Sequence, residues 1–310
     1  MKFKDYNYER YSYEAYAEAM QQAGTRLKEA KDYQSFKKAF DEGKRAFEHL
    51  DTMYNICYVR YTINTNDAFY QKENDYWDEA MPKMKSLTTA FDKEVLASPF
   101  AEELKKDVPE TYFLLAEFAQ KSFSDEIIEE LQEENRLQSS YQKLIASAQI
   151  PFDGDIYTLS ELGVKMECDD RDIRKRATQA YWGWMQSHQD EIDDLYDRMV
   201  KVRDRMAKKL GYKNYVELAY MLQCRFDYKQ EDVANYRRQV LEDVVPLCNA
   251  LYERQRERLG YDRLHVYDEK YEFASGNPTP KYDTQEMIAR ANTMYHAVSY
   301  THLRAHETLS

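Results

Sequence analysis

Residues 169 to 211, DDRDIRKRATQAYWGWMQSHQDEIDDLYDRMVKVRDRMAKKLG, decide the fold class. Ile173, Ala177, Ala180, Trp184, His188, Ile192, Leu195, Met199, Val202, Met206 and Leu210 recur at steps of three or four. That rhythm places them on one face of an α-helix. Asp169-Asp170 offers a helix start, and Gly211 stands where a C-terminal cap belongs. The stretch reads as one long helix or two nearly continuous ones.

Toward the N-terminus the pattern changes once. Ala148, Ile150 and Phe152 alternate with other positions, Asp153-Gly154 supplies a turn, and Ile156 to Leu159 come next. Asp-Gly suits a two-residue hairpin turn, so a β-hairpin is predicted near 148–159. It divides an N-terminal helical region from the C-terminal half of the chain. Before it, Ser12 is a good N-cap for a helix whose stripe is Tyr13, Tyr16, Met20, Ala23 and Leu27. A second stripe is Phe36, Phe40, Gly43, Phe47 and Leu50, and others cover 54–61, 69–80 and 84–95. Pro82 and Pro99 are expected to break the helices they interrupt. Segments 111–123 and 125–145 extend the pattern. Asp125, Glu126, Glu129, Glu130, Glu133 and Glu134 are expected to form a solvated acidic face.

Toward the C-terminus, a short helix over 215–223 precedes a long one carrying Val233, Tyr236, Val240, Val244, Leu247 and Leu251, with a kink at Pro246. The longest non-helical stretch is 261–283, and a helix begins again near Met287. Only 8 glycines and 7 prolines in 310 residues leave little material for a many-stranded fold. A net charge of −12 argues against a general nucleic-acid surface, which needs basic patches. No run approaches the roughly 18 apolar residues of a membrane span, and the N-terminus lacks the apolar core of a signal peptide. A cytoplasmic protein is expected. The sequence sets no oligomeric state.

Chemistry is harder to find. Cys57, Cys168, Cys224 and Cys248 form no CxxC pair and are expected to be buried, reduced thiols. His188 falls on the apolar stripe and is expected as a hydrogen-bonded core residue; His49 is expected on the surface near a helix end. His265 with Asp268 and Glu269 imitates a metal cluster but is expected to be loop polarity, and His296 stands alone. Asp193-Asp194 point apart on a helix and form no acid/base dyad. A zinc peptidase commonly uses HExxH, two histidines one helical turn apart with a glutamate between them. The nearest approach is His306-Glu307-Thr308-Leu309-Ser310, where serine replaces the second histidine. No catalytic, cofactor-binding or metal-binding residue is assigned.

Several collinear stretches go further. YVRYTINTNDAFYQKENDYWDEAMP (58–82), SAQIPFDGDIYTLSELGVKMECDDRDIRKRATQAYW (147–182), KKLGYKNYVELAYM (208–221) and LYERQRERLGYDRLHVYDE (251–269) resemble the oligoendopeptidase F family, zinc metallopeptidases of the M3 type. The resemblance implies a mainly α, elongated, zincin-like oligopeptidase shell with one small hairpin. It also implies zinc as cofactor and short peptides as substrates, hydrolysed inside an enclosed channel. In that family HExxH lies downstream of a loop like 276–280. The chain is therefore expected to hold a helical lobe (1–160) and the start of the catalytic domain (161–297), without the zinc ligands. Residues 298–310, including His302 and His306, are expected to be a non-native tail. Faces meant for the absent part would stay exposed, and the piece alone would be inactive. The competing expectation is a non-catalytic helical binding or scaffold protein.

Overall fold

Ser12 turns the chain into its first helix: its hydroxyl accepts the Ala15 amide at 3.1 Å, and its own backbone stays extended. The computed structural model describes residues 3–297. Helix α1 (Tyr13–Glu29) is followed by α2 (Tyr33–Ile63), capped by Asp32, and by α3 (Ala68–Ala97), capped by Asp67. Their facing stripes bury Tyr16, Met20, Phe36, Phe40, Leu50, Trp77 and Met84 in one core. Gly43 lets α2 approach α3, because an added Cβ would run into the Phe91 ring. The stripes at 36–50 and 54–61 belong to one helix, and Phe47 is not part of the buried row, being 42% exposed.

Pro82 does not break α3, contrary to expectation. A proline within a helix removes one donor, and its ring disturbs the carbonyl four residues back. Here the neighbouring helix α6 supplies replacements. Asn135 Nδ2 donates to the Asp78 carbonyl at 3.0 Å, and Gln132 Nε2 donates to the Glu79 carbonyl at 2.7 Å. The helix runs on because partners more than fifty residues away satisfy its carbonyls.

Beyond α3 come α4 (Ala101–Leu104), α5 (Glu110–Ser122), a 3₁₀ turn at Asp125–Ile127 and α6 (Ile128–Ala146). Strands β1 (Ile150–Phe152) and β2 (Asp155–Tyr157) pair antiparallel, Phe152 opposite Asp155. The two residues between them, Asp153 (φ 51°) and Gly154 (φ 92°), both lie at positive φ, as a primed turn requires. Next come α7 (Leu159–Lys165), α8 (Arg171–Ser187) and α9 (Gln189–Lys209). The long stripe is thus two helices, separated at His188. Gly211 (φ 83°) ends α9: Tyr212 N–H reaches the Ala207 carbonyl at 2.9 Å, and Gly211 N–H reaches Lys208 at 3.0 Å.

The acidic row is a solvated face only in part: Asp125, Glu126 and Glu129 are exposed, whereas the rest of it packs against α9. Glu130 and Glu134 are buried and pair with Lys209 (2.7 Å) and Arg203 (2.6 Å) of α9, while Glu133 pairs with Arg205. The cations lie some seventy residues downstream, beyond the reach of a local reading of charge.

The remaining helices are α10 (Tyr215–Leu222), α11 (Gln230–Gln239), a π-helical segment (Val240–Val244), α12 (Val245–Leu259) and α13 (Thr284–Ala297). Just before Pro246, where a kink is expected, the helix carries a π turn, in which Val245 N–H reaches back five residues to the Val240 carbonyl. The apolar row on this long element is largely exposed: Tyr236 is 66%, Leu247 58% and Leu251 51% accessible.

The described chain divides into two compact units. The first comprises the residues up to Glu161 together with Ala180–Pro246, and contains the α1–α3 core. It also holds a cluster of Phe123, Ile127, Met206, Ala207 and Leu218, and another of Leu137, Leu195 and Val202. The second comprises Leu162–Gln179 together with the described residues from Leu247 onward.

Candidate functional site

The residue types able to hold a metal are dispersed. His49 lies in the middle of α2, not at its end, and meets the Tyr11 ring edge-on at 4.7 Å. His188 is hydrogen-bonded but sits half-buried at the α8–α9 junction rather than in the core. Its Nδ1 lies 2.9 Å from the Trp184 carbonyl, and its ring stacks on the Trp184 indole at 4.1 Å. His296 is exposed on α13. Cys57 is buried, and burial pushes its thiol up to about 11. Cys224 and Cys248 are exposed, against expectation. Asp193 and Asp194 are both exposed on α9. His302, His306 and Glu307 fall outside the described residues. Among those described, no group of three His, Cys, Asp or Glu side chains could hold a metal ion.

The trio His265, Asp268 and Glu269 shows why. Asp268 is fully buried in the second unit and is no loop decoration. Arg171 grips it side-on, Nε to Oδ1 at 3.0 Å and Nη2 to Oδ2 at 2.8 Å. Arg174, three residues on and also fully buried, adds Nη2 to Oδ1 at 3.2 Å. The His265 amide donates to Oδ2 at 3.0 Å. Burial pushes the Asp268 carboxyl up, but the bonds from Arg171, the His265 amide and Arg174 hold it below the usual carboxylate range. The remaining Arg174 donors go to the carbonyls of Tyr267, Cys168 and Asp169 and to the Tyr261 hydroxyl. Gln255 closes the loop from the other side, donating to the carbonyls of Asp268, Glu269 and Tyr271. The His265 imidazole stacks on Tyr267 instead of turning toward the carboxylate. With both carboxylate oxygens committed to cations, this centre does not fit zinc; it fastens the 261–271 loop to the start of α8. The available signal was two arginines one turn apart after an Asp-Asp cap, RDIR, but their partner lies 94 and 97 residues downstream.

Within the first unit, α10 ends in a turn like that of α9. Arg225 N–H reaches the Tyr220 carbonyl at 3.0 Å, and Cys224 (φ 53°) occupies the left-handed position that Gly211 fills in the other. A side chain there carries strain of order 1–3 kcal/mol. The turn lays the Arg225 guanidinium over the Tyr220 ring at 4.5 Å and 5.7 Å from that of Tyr228. A cleft of about 400 Å³ opens beside it, lined also by Phe118 and Phe226. Ring faces and a cation suit the holding of a ligand's apolar or aromatic side chain.

The described residues therefore offer a helical framework and clefts, without an assembled catalytic centre. Comparison with known proteins identifies the framework. Residues 3–123 match the family model for the peptidase M3 N-terminal domain, and residues 164–300 match that for peptidase family M3. A solved structure described as an oligoendopeptidase F from Bacillus anthracis str. Ames superposes with a TM-score of 0.93 at 41% identity, over 97% of this chain and 56% of that one. PZ peptidase A with an inhibitor gives 0.93 and 42%, over 96% and 53%. Another protein described as oligoendopeptidase F gives 0.93 and 40%, over the same shares. No curated protein matches. The chain spans about half the length of these solved structures. Among the described residues no helix is long and apolar enough to cross a membrane. Two M3 models matched in succession, on a backbone that superposes on an oligoendopeptidase F over 97% of this chain, place this chain in the M3 peptidase family.

Proposed function

We propose that the chain supplies the helical lobe and the first part of the catalytic region of a zinc peptidase that hydrolyses short peptides. The observation that carries this reading is the match of both M3 models in order, on a backbone superposing at a TM-score of 0.93. In this reading residues 1–160 form the N-terminal lobe, 161–297 begin the catalytic domain, and 298–310 are a non-native tail. Zinc held in the active enzyme would supply Lewis-acid activation of water and of the scissile carbonyl. The described residues do not fit that ion, so its ligands belong elsewhere in the active enzyme. The present residues bind, enclose and orient substrate. The site is cytoplasmic, and the partners are peptides rather than nucleic acid or membrane, in keeping with the net charge of −12.

The 310-residue chain by itself is then expected to bind no catalytic zinc and to cleave no peptide. Metal analysis and a quenched fluorescent peptide assay on the purified chain test this. Stoichiometric zinc together with chelator-sensitive hydrolysis would overturn it. Reading the gene past the codon for Ala297 tests the parent: an HExxH-encoding continuation supports the peptidase, whereas a native stop after Ser310 favours a helical binding protein.

A further inference from the structure

Helix α3 carries Lys85, Thr88 and Asp92 at i, i+3 and i+7, which places them on one face. They line a groove of about 390 Å³ in the first unit, with apolar walls that include Leu50, Met81 and Leu131. Two opposite charges stand in this groove, and neither is neutralised. No described carboxylate forms an ion pair with Lys85, whose ammonium lies 5.5 Å from the Phe123 ring. The nearby Glu134 is taken by Arg203 at 2.6 Å. Burial lowers the lysine's pKa. Asp92 accepts one hydrogen bond, from the Tyr112 hydroxyl at 2.7 Å, and no described cation pairs with it; burial raises its carboxyl to about 6. Thr88 is occupied by the Tyr16 hydroxyl and so does not compete for either charge.

The two residues form no ion pair with each other, and their backbone positions are seven residues apart on one helix, a rise of about 10 Å at 1.5 Å per residue. Leaving a partly desolvated ammonium and carboxyl without countercharges is costly, and a ligand with complementary ends would remove that cost at both. An extended peptide advances about 3.3–3.6 Å per residue, so roughly three residues cover the same span. We propose that this groove binds a short peptide of about three residues with both ends free, its carboxylate on Lys85, its ammonium on Asp92 and its apolar side chains on the groove walls. A lone anion would satisfy only Lys85, and a single amino acid is too short. An internal stretch of a longer chain offers neither end. The site would thus collect small cleavage products rather than intact polypeptides. The supply of such products rests on the peptidase reading, whereas binding does not, so the two can fail separately.

The test is calorimetric titration of the full chain with the tripeptide Ala-Leu-Ala, its N-acetylated form and its C-amidated form. Saturable 1:1 binding of the free peptide is expected, with blocking of either end weakening it at least tenfold. Lys85→Met should abolish the effect of amidation and keep that of acetylation; Asp92→Asn should do the reverse. Circular dichroism melts establish that each variant is folded, and the blocked peptides on the unaltered chain decide the matter if one is not. Equal binding of all three peptides, or no saturation up to about 10 mM, where affinity would be negligible, would overturn the proposal. So would variants that keep both end dependences.

Discussion

The α1–α3 core of the first unit and the Asp268 centre of the second are built from opposite chemistries. The first is built around aromatic and aliphatic side chains: Tyr16, Phe36, Phe40, Trp77 and Met84 are at most 1% exposed. In the second, the buried residues include Arg174, Asp268 and Gln255, so charge and amide groups sit where the first unit has rings. An apolar core loses stability in proportion to what is removed and how well the gap closes. A buried ion centre is all or nothing, because each deleted partner strands the others without water. The apolar core should therefore degrade gradually and the ion centre abruptly.

The sharpest way to break this contrast is Asp268→Ala, which leaves Arg174 buried beside no carboxylate. A loss of about 3–5 kcal/mol is expected, confined in hydrogen exchange to 162–179 and 247–297. If Arg171→Met, Arg174→Leu and Asp268→Leu are combined, the loss should largely disappear, since the centre would become apolar. Next in size is Leu50→Ala in the first unit, expected to cost about 2–5 kcal/mol with no stranded charge to rescue. Uniform exchange loss in both units after Asp268→Ala would erase the distinction.

Acidity sharpens the comparison through two carboxyls shifted in opposite directions. Asp268 is held down in the folded state, so its contribution is present above the unfolded value near 4 and fades as pH falls through the folded one. Asp92 is raised by burial to about 6, so the folded chain keeps a proton that the unfolded chain has lost. Its effect runs the other way: stability falls as pH rises from about 4 to about 6. Asp92→Asn should flatten that part of a urea-denaturation pH series and leave the acid limb, where Asp268 titrates, in place. The smallest effect concerns Pro82. Asn135→Ala should cost about 1–3 kcal/mol by leaving the Asp78 carbonyl unmet, and less when Pro82→Ala restores the helix's own donor. Additive losses in that double-mutant cycle would show that the two residues are uncoupled.

The same contrast explains what was legible in the sequence. Helix periodicity, the Ser12 cap, the Asp153-Gly154 turn and the Gly211 terminator are local, and each was readable where it stands. The continuity of α3 through Pro82, the burial of Glu130 and Glu134, and the centre around Asp268 each depend on a partner fifty to a hundred residues away. Polar residues whose partners are distant look like surface, which is why His265, Asp268 and Glu269 read as loop polarity. The family was legible through its long collinear stretches. A catalytic centre was not, and the described residues assemble none.

The π turn at Val240–Val244 has a bearing on the history of the chain. A π turn holds one residue more than the α-helical path it replaces, and it rotates the side chains beyond it by about a quarter turn. The segment between Arg238 and Pro246 is thus a place where a single codon can be gained or lost while α11 and α12 both survive. Among relatives, a one-residue gap should recur there more often than anywhere else along this element, with the proline present in the longer versions.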